Sequence, residues 1–353
     1  MDNRSPRPSS NPPHAEPRPR VSFLIFAYNH ERFIARTLQG AFEQGFASME
    51  IIVTDDCSTD STLAVIERAI AAYDGPKRII LNRTPVNLGL GGAINSAVAL
   101  TNGELLIINA GDDESVPERT EAVVAAFDRG QGAVKCVYSN AVIVDEDGRA
   151  EGQAFDKPQP VITDSVVQSK MVYCLGATTA YHRDLFDVFG PLRADLVFED
   201  TVLPLRAAIV GRIEYLHDPL VRYRRHGGNL MLGAMLKPDK ADWYANLSRH
   251  ADRLGVALEC WIADIETAQR LYGDQERRLH RMKAGARNRL KQLRAKEKLL
   301  KTGGLRARLL ATVRFLMSTP RIDPIKAWMI TFFLPGIYLR HKFKAEAAAN
   351  AKR

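Results

Sequence analysis

One stretch of the chain, ELLIINAGDDE at residues 104–114, constrains its fold more than any other. The apolar run at 105–108 predicts a short buried strand, and Gly111 allows the backbone to turn at its end. Asp112 and Asp113 should therefore lie at the carboxyl edge of a sheet, where open α/β sheets bind ligands. Because adjacent carboxylates repel each other, such a pair commonly holds a hard divalent cation that bridges to phosphate oxygens. The alternative is a solvated turn in which an aspartate caps the next helix.

Three similar units precede this stretch, each an apolar strand followed by a polar turn and a helix. The strands are expected at 21–27, 50–54 and 78–81. Strands that alternate with helices predict an α/β fold with a mainly parallel sheet and flanking helices. Right-handed crossovers bring all the turns to one side of that sheet. The polar residues expected to converge there are Tyr28, Asn29, Asp55, Asp56, Asn87, Asp112 and Asp113.

The pattern loosens beyond residue 117. Two strands joined by a hairpin turn at 145–148 are expected, followed by a strand at 176–181. A helix then begins with the carboxylates Glu199 and Asp200, and a further strand-like stretch ends at His226. This shift marks the passage from a nucleotide-binding half to an acceptor-binding half of one domain.

Composition divides the chain into four parts. Residues 1–20 contain six prolines and almost no apolar residues, which predicts a disordered leader. We expect one domain over 21–235 and a basic helical extension over 236–301. The last part, 302–353, contains a short apolar core flanked by basic residues, which is typical of an amphipathic segment that lies in the membrane plane. A solvated helical extension or a coiled coil remains the alternative for the basic end of the chain.

Charge is distributed unevenly along the chain. From residue 270 onward there are 22 Lys and Arg against 5 Asp and Glu, whereas the rest has 27 against 36. A mildly acidic body with a basic tail indicates attachment to an anionic partner, either a membrane surface or nucleic acid. The four cysteines form no CxxC pair, and no secretory signal precedes the first strand. We therefore expect reduced thiols and a cytoplasmic protein at the inner face of the plasma membrane.

The motifs together resemble a known family. VSFLIFAYNHERFIARTL, EIIVTDDCSTDST, NLGLGGAINSA and GELLIINAGDDESVPER are similar to the N-terminal half of family 2 glycosyltransferases, and FED and RYRRHGGN are similar to its second half. The resemblance covers roughly residues 21 to 230 in the right order. It implies the GT-A fold, which has a Rossmann-like sheet, and transfer of a sugar with inversion from a nucleotide diphosphate donor.

The resemblance also implies roles for the residues at the first turns. Asp56 would accept the N3–H of uracil or thymine, with Ala27, Tyr28 and Asn29 beside the base, so the donor is of the UDP or dTDP type. Asn87 and Gly89 belong to the same nucleotide-sugar site, where shaping the loop is the alternative to touching the substrate. Asp112 and Asp113, with His226, would hold Mn²⁺ or Mg²⁺ against the diphosphate. The chain departs from the family's D-x-D-D motif, because Ala110 stands at its first acidic position.

Asp200 matches the general base that takes the proton of the acceptor hydroxyl. Glu199 and Arg224 are candidates for contacts with phosphate or acceptor. Simpler interpretations stay open: Asp200 as an acid favoured by the dipole of its helix, and His226 as a surface-loop residue.

The resemblance implies an acceptor that is a glycan or a lipid-linked saccharide in cell-surface polysaccharide synthesis. One rival is a nucleotidyltransferase, which would need a phosphate-binding loop after the first strand, where Tyr28 and Asn29 stand instead. The other is an inactive scaffold that binds a nucleotide sugar or an anionic surface. Binding of nucleic acid is not expected, because residues 275–301 lack interleaved aromatic residues. The oligomeric state is left open.

Overall fold

The computed structural model describes residues 18–155, 172–229 and 240–301. Its strands form one sheet with the order β3-β2-β1-β4-β8-β6-β9-β5, and β7 pairs with β6 outside this path. The strands are β1 Val21–Ala27, β2 Met49–Asp55, β3 Arg78–Arg83, β4 Leu105–Ala110, β5 Glu114–Ser115, β6 Val134–Val144, β7 Ala150–Gln153, β8 Thr179–His182 and β9 Arg212–Arg224.

Helices cover both faces of the sheet. They are α1 Ile34–Phe42, α2 Thr62–Ala71, α3 Gly89–Val98, α4 Arg119–Arg129, α5 Asp184–Phe189, α6 Glu199–Val210, α7 Lys240–Leu271 and α8 Glu276–Lys301. Alternate residues of β1 point to opposite faces, so Phe23 and Ile25 join one hydrophobic cluster while Leu24 and Phe26 join the other. Every residue of β1 and β2 is buried, which explains why apolar residues dominate these strands.

The first half of the sheet confirms the expectation from the sequence. β3, β2, β1 and β4 are parallel neighbours, and each expected strand is present. The turns after β1, β2 and β4 therefore lie at one edge of the sheet. This edge carries the candidate site.

The second half of the sheet is mixed rather than parallel. β8 is antiparallel to both β4 and β6, whereas β9 runs parallel to β6. The expected hairpin joins β6 and β7, and its turn closes with a bond from Gly148 N to Asp145 O. The two-residue strand β5, which pairs with β9, was not expected. It carries the chain directly from the Asp112–Asp113 turn to the far edge of the sheet.

The helices after residue 240 pack into the same core as the sheet. α7 lies against α6, where Trp261 Nε1 donates to Thr201 O at 3.0 Å. Leu279 and Met282 of α8 belong to the hydrophobic cluster that also holds residues of α6. The expected helical character of this part is confirmed, and among the described helices none is long and apolar enough to cross a membrane.

The two ends of the chain are described only in part. Residues 1–17 and 302–353 lie outside the described residues, so the disordered leader and the membrane-associating tail stay predictions. The last residue of the expected leader, Arg20, is ordered, because its backbone N–H donates to Ser48 O at 2.9 Å and its guanidinium binds Asp128. The expected boundary at residue 235 falls in the undescribed segment 230–239.

Candidate active site

The Asp112–Asp113 turn is held tightly against the end of β1. Gly111 N donates to Phe26 O at 2.7 Å, and a Cβ on Gly111 would lie 2.6 Å from His30 Nδ1 and 2.8 Å from Phe26 O. Glycine is therefore required here because His30 and the backbone of β1 approach it closely, and not because the backbone is left-handed. The turn is buried, in contrast to a solvated cap.

Asp112 is bound by side chains from the end of β9. Its Oδ2 accepts hydrogen bonds from His226 Nε2 at 2.8 Å and from Asn229 Nδ2 at 3.1 Å, and His30 Nε2 lies 3.9 Å away. Burial alone would raise the pKa of Asp112. The hydrogen bond from His226 and the charge of His30 outweigh burial, so the pKa lies below its ordinary value. Asp112 is thus an ionised carboxylate at neutral pH.

Asp113 has the opposite character. Its Oδ1 accepts the backbone N–H of Arg224 at 2.7 Å. Burial raises the pKa of Asp113 well above its ordinary value, and the neighbouring charge of Asp112 raises it further. The turn therefore stores unfavourable electrostatic energy that a nearby cation would relieve.

The donor set of this turn fits a hard divalent cation in its chemistry. Adjacent carboxylates are the ligands that Mg²⁺ and Mn²⁺ prefer, and a cation bound between Asp112 and Asp113 would offset the repulsion that raises the pKa of Asp113. His226 contacts Asp112 and so reaches the carboxylate pair as expected. Within the described ranges no three His, Cys, Asp or Glu side chains already surround a common point for a metal ion.

Asp56 is fixed between the first and third turns. Its backbone N–H donates to Ala27 O at 2.9 Å, and its Oδ1 accepts from Thr84 Oγ1 at 2.9 Å and from Leu88 N at 2.8 Å. These contacts orient the carboxylate at the edge where Ala27 ends β1. Both of these side-chain contacts go to Oδ1.

Asp55 supports the turn beside Asp56. Its Oδ2 accepts the backbone N–H of Ser58 at 3.1 Å. This contact agrees with the structural role expected from the sequence. Its Oδ1 is buried and has no hydrogen-bond partner among the described residues.

The remaining residues expected at the nucleotide end mostly shape loops. Asn29 adopts a left-handed conformation with φ of 57°, and its Oδ1 accepts the backbone N–H of Thr59 at 2.8 Å. Asn87 Oδ1 accepts from Gly89 N at 3.0 Å, and Gly89 has φ of +69°. Tyr28 differs, because its side chain is 43% exposed and free to contact a ligand.

Glu199 and Asp200 open α6 and are both buried. A Cβ on Gly176 would lie 2.9 Å from Glu199 Oε1 and 3.3 Å from Asp200 Cβ, so the backbone at Gly176 covers the two carboxylates. Burial raises the pKa of Glu199 to about 7. Burial, followed by the charge of Glu199, raises the pKa of Asp200 well above its ordinary value. Asp200 Oδ1 has no hydrogen-bond partner in the part of the chain that the structure describes.

Arg224 is a buried side chain that forms hydrogen bonds to several segments of the site. Its side chain is 1% exposed, and its guanidinium donates to Asp112 O at 3.2 Å, to the carbonyls of Asp145 and Glu146 at 3.0 Å each, and to Glu114. These bonds to protein groups give Arg224 a structural role in holding the turn. The expectation of a phosphate or acceptor contact does not fit this burial.

Tyr223 precedes Arg224, whose backbone N–H donates to Asp113. Burial raises the pKa of Tyr223, and the charges of Asp113, Asp112 and Asp200 raise it further. Its phenol therefore lies within electrostatic range of both the Asp112–Asp113 turn and the first turn of α6. The sequence reasoning weighed only the arginines of β9, although the alternation of side chains along the strand could have drawn attention to Tyr223.

Arg119 is a further residue that the sequence reasoning missed. It is fully buried, and its guanidinium donates to Asn109 Oδ1 at 2.8 Å, to Ser115 Oγ at 2.9 Å and to Ile108 O at 2.8 Å. These acceptors lie on both sides of the Asp112–Asp113 turn, so Arg119 joins the strands that enter and leave it. The positive charge of Arg119 also lowers the raised pKa of Asp113.

Comparisons with known proteins show what this region is similar to. Residues 22–190 match the family model described as Glycosyl transferase family 2. An uncharacterized glycosyltransferase of Nostoc sp. is 27% identical over 61% of this chain and 67% of its own length. The succinoglycan biosynthesis protein ExoO of Rhizobium meliloti is 28% identical over 50% of each chain.

A third relative has also been solved as a structure. Poly(ribitol-phosphate) beta-N-acetylglucosaminyltransferase TarS of Staphylococcus aureus is 27% identical over 71% of this chain and 42% of its own length. The crystal structure of TarS 1–349 in complex with UDP-GlcNAc superimposes with a TM-score of 0.52 at 20% identity, covering 86% of this chain and 93% of that one. This likeness confirms the fold. The match spans half or less of the full length of ExoO and TarS.

Proposed function

We propose that the chain is an inverting glycosyltransferase of family 2, on the basis of the match between residues 22–190 and the model of that family. It transfers a sugar from a UDP- or dTDP-type donor to a hydroxyl of a glycan or lipid-linked acceptor in the synthesis of cell-surface polysaccharide. The names of two relatives support this class of reaction, since they describe succinoglycan biosynthesis and transfer of N-acetylglucosamine.

The observation that carries the proposal is the buried carboxylate of Asp200 with its unpartnered Oδ1. A hydroxyl of the acceptor is the donor that this oxygen lacks. A raised pKa makes the carboxylate a stronger base than an exposed aspartate, which suits proton abstraction near neutral pH. Tyr223 lies close to both Asp200 and the Asp112–Asp113 turn, so the base and the diphosphate end share one site.

In the proposed reaction, Asp200 acts on the acceptor and the anomeric carbon of the donor is inverted. Asp200 takes the proton of the acceptor hydroxyl, and the acceptor oxygen forms a bond to the anomeric carbon of the donor sugar. The bond from that carbon to the phosphate oxygen breaks on the opposite face, so the configuration inverts. The nucleoside diphosphate leaves with the electron pair of the broken bond.

Asp113 and Asp112 are the residues that would hold Mn²⁺ or Mg²⁺, with His226 beside them. When bound, the cation offsets the negative charge that develops on the departing diphosphate. The protein contributes a turn whose carboxylates are already fixed by Arg224 N and Asn229. Glu199 lies beside the base, and its charge raises the pKa of Asp200.

The nucleotide is assigned to the edge formed by β1, β2 and the loop after β3. Asp56 accepts the imide N–H of uracil or thymine, and the half-exposed ring of Tyr28 lies next to the base. A carboxylate is a good acceptor for an imide donor, whereas adenine presents a different edge. Ala27 closes this end of the site through its bond with Asp56 N.

We place the protein at the cytoplasmic face of the plasma membrane, where the basic tail over 302–353 would meet anionic headgroups. Each basic residue near such a surface contributes about 1 kcal/mol. The tail lies outside the described residues, so the support for this placement is its sequence.

Donor binding and turnover test the proposal. The protein is mixed with UDP-, dTDP-, GDP- and ADP-sugars with and without Mn²⁺ or Mg²⁺, and binding is followed by calorimetry and turnover by release of nucleoside diphosphate. Asp113→Ala is expected to lose the binding that depends on metal. Asp200→Asn is expected to bind the donor normally and to lose turnover by at least about 100-fold.

The exposed carboxylate of Asp187 provides the control, because Asp187→Asn changes a side chain on the surface of α5 and should alter neither quantity. Binding without turnover in the unaltered protein would favour the inactive scaffold. If no nucleotide sugar binds with either metal, the assignment as a glycosyltransferase fails.

A further inference from the structure

Tyr173 is a large apolar side chain left open beside the candidate base. Its side chain is 47% exposed, although it belongs to a segment that otherwise enters the core: Val172 and Cys174 on either side of it are fully buried. Alternation along this extended segment places Tyr173 on the outer face. The side chain of Tyr173 is therefore accessible to a ligand, although its neighbours in sequence belong to the core.

The segment that carries Tyr173 is attached to the start of α6. Cys174 N donates to Asp200 O at 3.1 Å, and the backbone at Gly176 covers the carboxylates of Glu199 and Asp200. Tyr173 is therefore held next to the base by the neighbouring residues of its own backbone. The contacts that fix the position of Tyr173 are made by the backbone at Cys174 and Gly176.

The side chain of Tyr173 lies near several titratable groups. Burial raises the pKa of Tyr173, and the nearby Asp200, Tyr223 and Glu199 raise it further. Tyr173 is therefore near the two carboxylates, while part of its side chain is open to solvent. An edge that donates hydrogen bonds and a face that is apolar are combined in one side chain.

The unpartnered oxygen of Asp200 points to a ligand at the same place. Asp200 is 9% exposed, and its Oδ1 is buried without a hydrogen-bond partner among the described residues. A buried acceptor left unpaired costs about 1 to 3 kcal/mol, so it is expected to find a donor in the working complex. The exposed ring of Tyr173 and the unpartnered Oδ1 of Asp200 therefore belong to the same part of the site.

We propose that Tyr173 is the platform for the terminal pyranose ring of the acceptor, which places one ring hydroxyl against Asp200 Oδ1. This inference rests on the proposed function and names the class of its acceptor. A pyranose has a face of C–H groups that packs on an aromatic ring and an edge of hydroxyls that donates to a carboxylate. An open-chain polyol lacks that flat apolar face, so a cyclic sugar fits the pair of Tyr173 and Asp200 better.

Acceptor kinetics in the full-length protein test this inference. The probes are methyl and octyl glycosides of glucose, galactose, mannose and N-acetylglucosamine, with ribitol and glycerol as open-chain polyols. The readout is the release of nucleoside diphosphate above the slow hydrolysis of the donor by water. At least one pyranoside is expected to accelerate release, and the polyols are not.

Variants of Tyr173 separate the platform from a structural role. Tyr173→Ala is expected to raise the KM for the pyranoside about tenfold, which corresponds to about 1.4 kcal/mol, while the donor KM and the rate of hydrolysis stay within twofold. Tyr173→Phe keeps the ring and should change the acceptor KM less than threefold. Leu271→Ala removes a similarly exposed apolar side chain at the end of α7 and should change none of these values.

The outcomes distinguish this inference from the proposed function. If the unaltered protein hydrolyses no nucleotide sugar, the proposed function fails and the platform fails with it. If donors are hydrolysed but no pyranoside accelerates release, or the polyols accelerate it equally well, the acceptor class is wrong. An unchanged acceptor KM in Tyr173→Ala, or a changed donor KM, also overturns the inference. A lower KM for octyl than for methyl glycosides identifies a lipid-linked sugar, and equal values identify a soluble glycan; either result keeps the ring on Tyr173.

Discussion

The buried ion pair between α6 and α7 is predicted to be a main support of the helix that carries Asp200. Arg206 Nε donates to Asp264 Oδ2 at 2.8 Å and Nη2 donates to Oδ1 at 3.1 Å, a bidentate geometry with both side chains buried. The third nitrogen, Nη1, donates to the carbonyls of Leu185 at 3.2 Å and Gly190 at 2.7 Å. The guanidinium therefore joins three segments of the chain.

Removing Asp264 from the ion pair shows how much the pair contributes to the free energy of unfolding. In Asp264→Ala the guanidinium stays buried with only the two carbonyls as acceptors, so we expect the free energy of unfolding to fall by about 3 to 5 kcal/mol. Burial raises the pKa of Asp264 even with Arg206 beside it, which indicates that desolvation outweighs the attraction to Arg206. Replacing both partners with apolar residues of similar size, Arg206→Met with Asp264→Leu, should therefore cost much less than Asp264→Ala alone.

Urea unfolding followed by tryptophan fluorescence measures these differences, since Trp261 packs at the same helix interface. The single variants Arg206→Met and Asp264→Leu, compared with the double variant, give the coupling energy of the pair. The reasoning is refuted if Asp264→Ala costs less than about 1 kcal/mol, the range of an exposed ion pair, or if the double variant costs as much as the two single variants together.

Four further outcomes are expected. Gly111→Ala forces a Cβ against His30 and should lower the free energy of unfolding by about 1 to 3 kcal/mol, whereas Gly273→Ala, with open space around it, should not. The pKa of Glu199 is about 7 in the folded state and 4.5 ordinarily, so between these pH values the folded state holds a proton that the unfolded state has lost. The free energy of unfolding therefore falls by up to about 3 kcal/mol as pH rises through this window. Glu199→Gln should remove this dependence, which thermal unfolding at a series of pH values measures. Arg119→Met leaves several buried acceptors unpaired and should destabilise by about 2 to 4 kcal/mol in urea. Glu in place of the basic residues at 340, 342 and 344 should abolish sedimentation with phosphatidylglycerol vesicles, and no change would remove the membrane assignment of the tail.

The strands of the first half were predictable because their physics is local. A strand buried on both faces is an uninterrupted apolar run, and residues 105–108 show such a run followed by a polar turn. The alternation of these strands with helices then sets their parallel order and brings the turns to one edge. Asp55, Asp56 and Asp112 could be placed at that edge without any knowledge of their contacts.

The second half depends on partners far away in sequence. β5 has only two residues, and its pairing with β9 joins Glu114 to Arg222, which no local pattern can reveal. Arg224 has the charge expected of a phosphate ligand, but its acceptors are carbonyls up to 112 residues away. Tyr173 lies outside every helix and strand that the sequence predicts, so its place beside Asp200 emerges only from the fold.

The bonds that join Asp112 and Asp113 to the end of β9 have a consequence for how the protein acquires activity during its synthesis. Arg224 N, His226 and Asn229 reach these aspartates across 111 to 117 residues of chain. Closing a loop of that length is entropically costly and comes late in folding. A nascent chain that has emerged only as far as Asp200 contains both carboxylate groups but lacks the strand that brings them together. Such a chain can fold its first four strands while remaining inert, and translation through β9 is the event that completes the site.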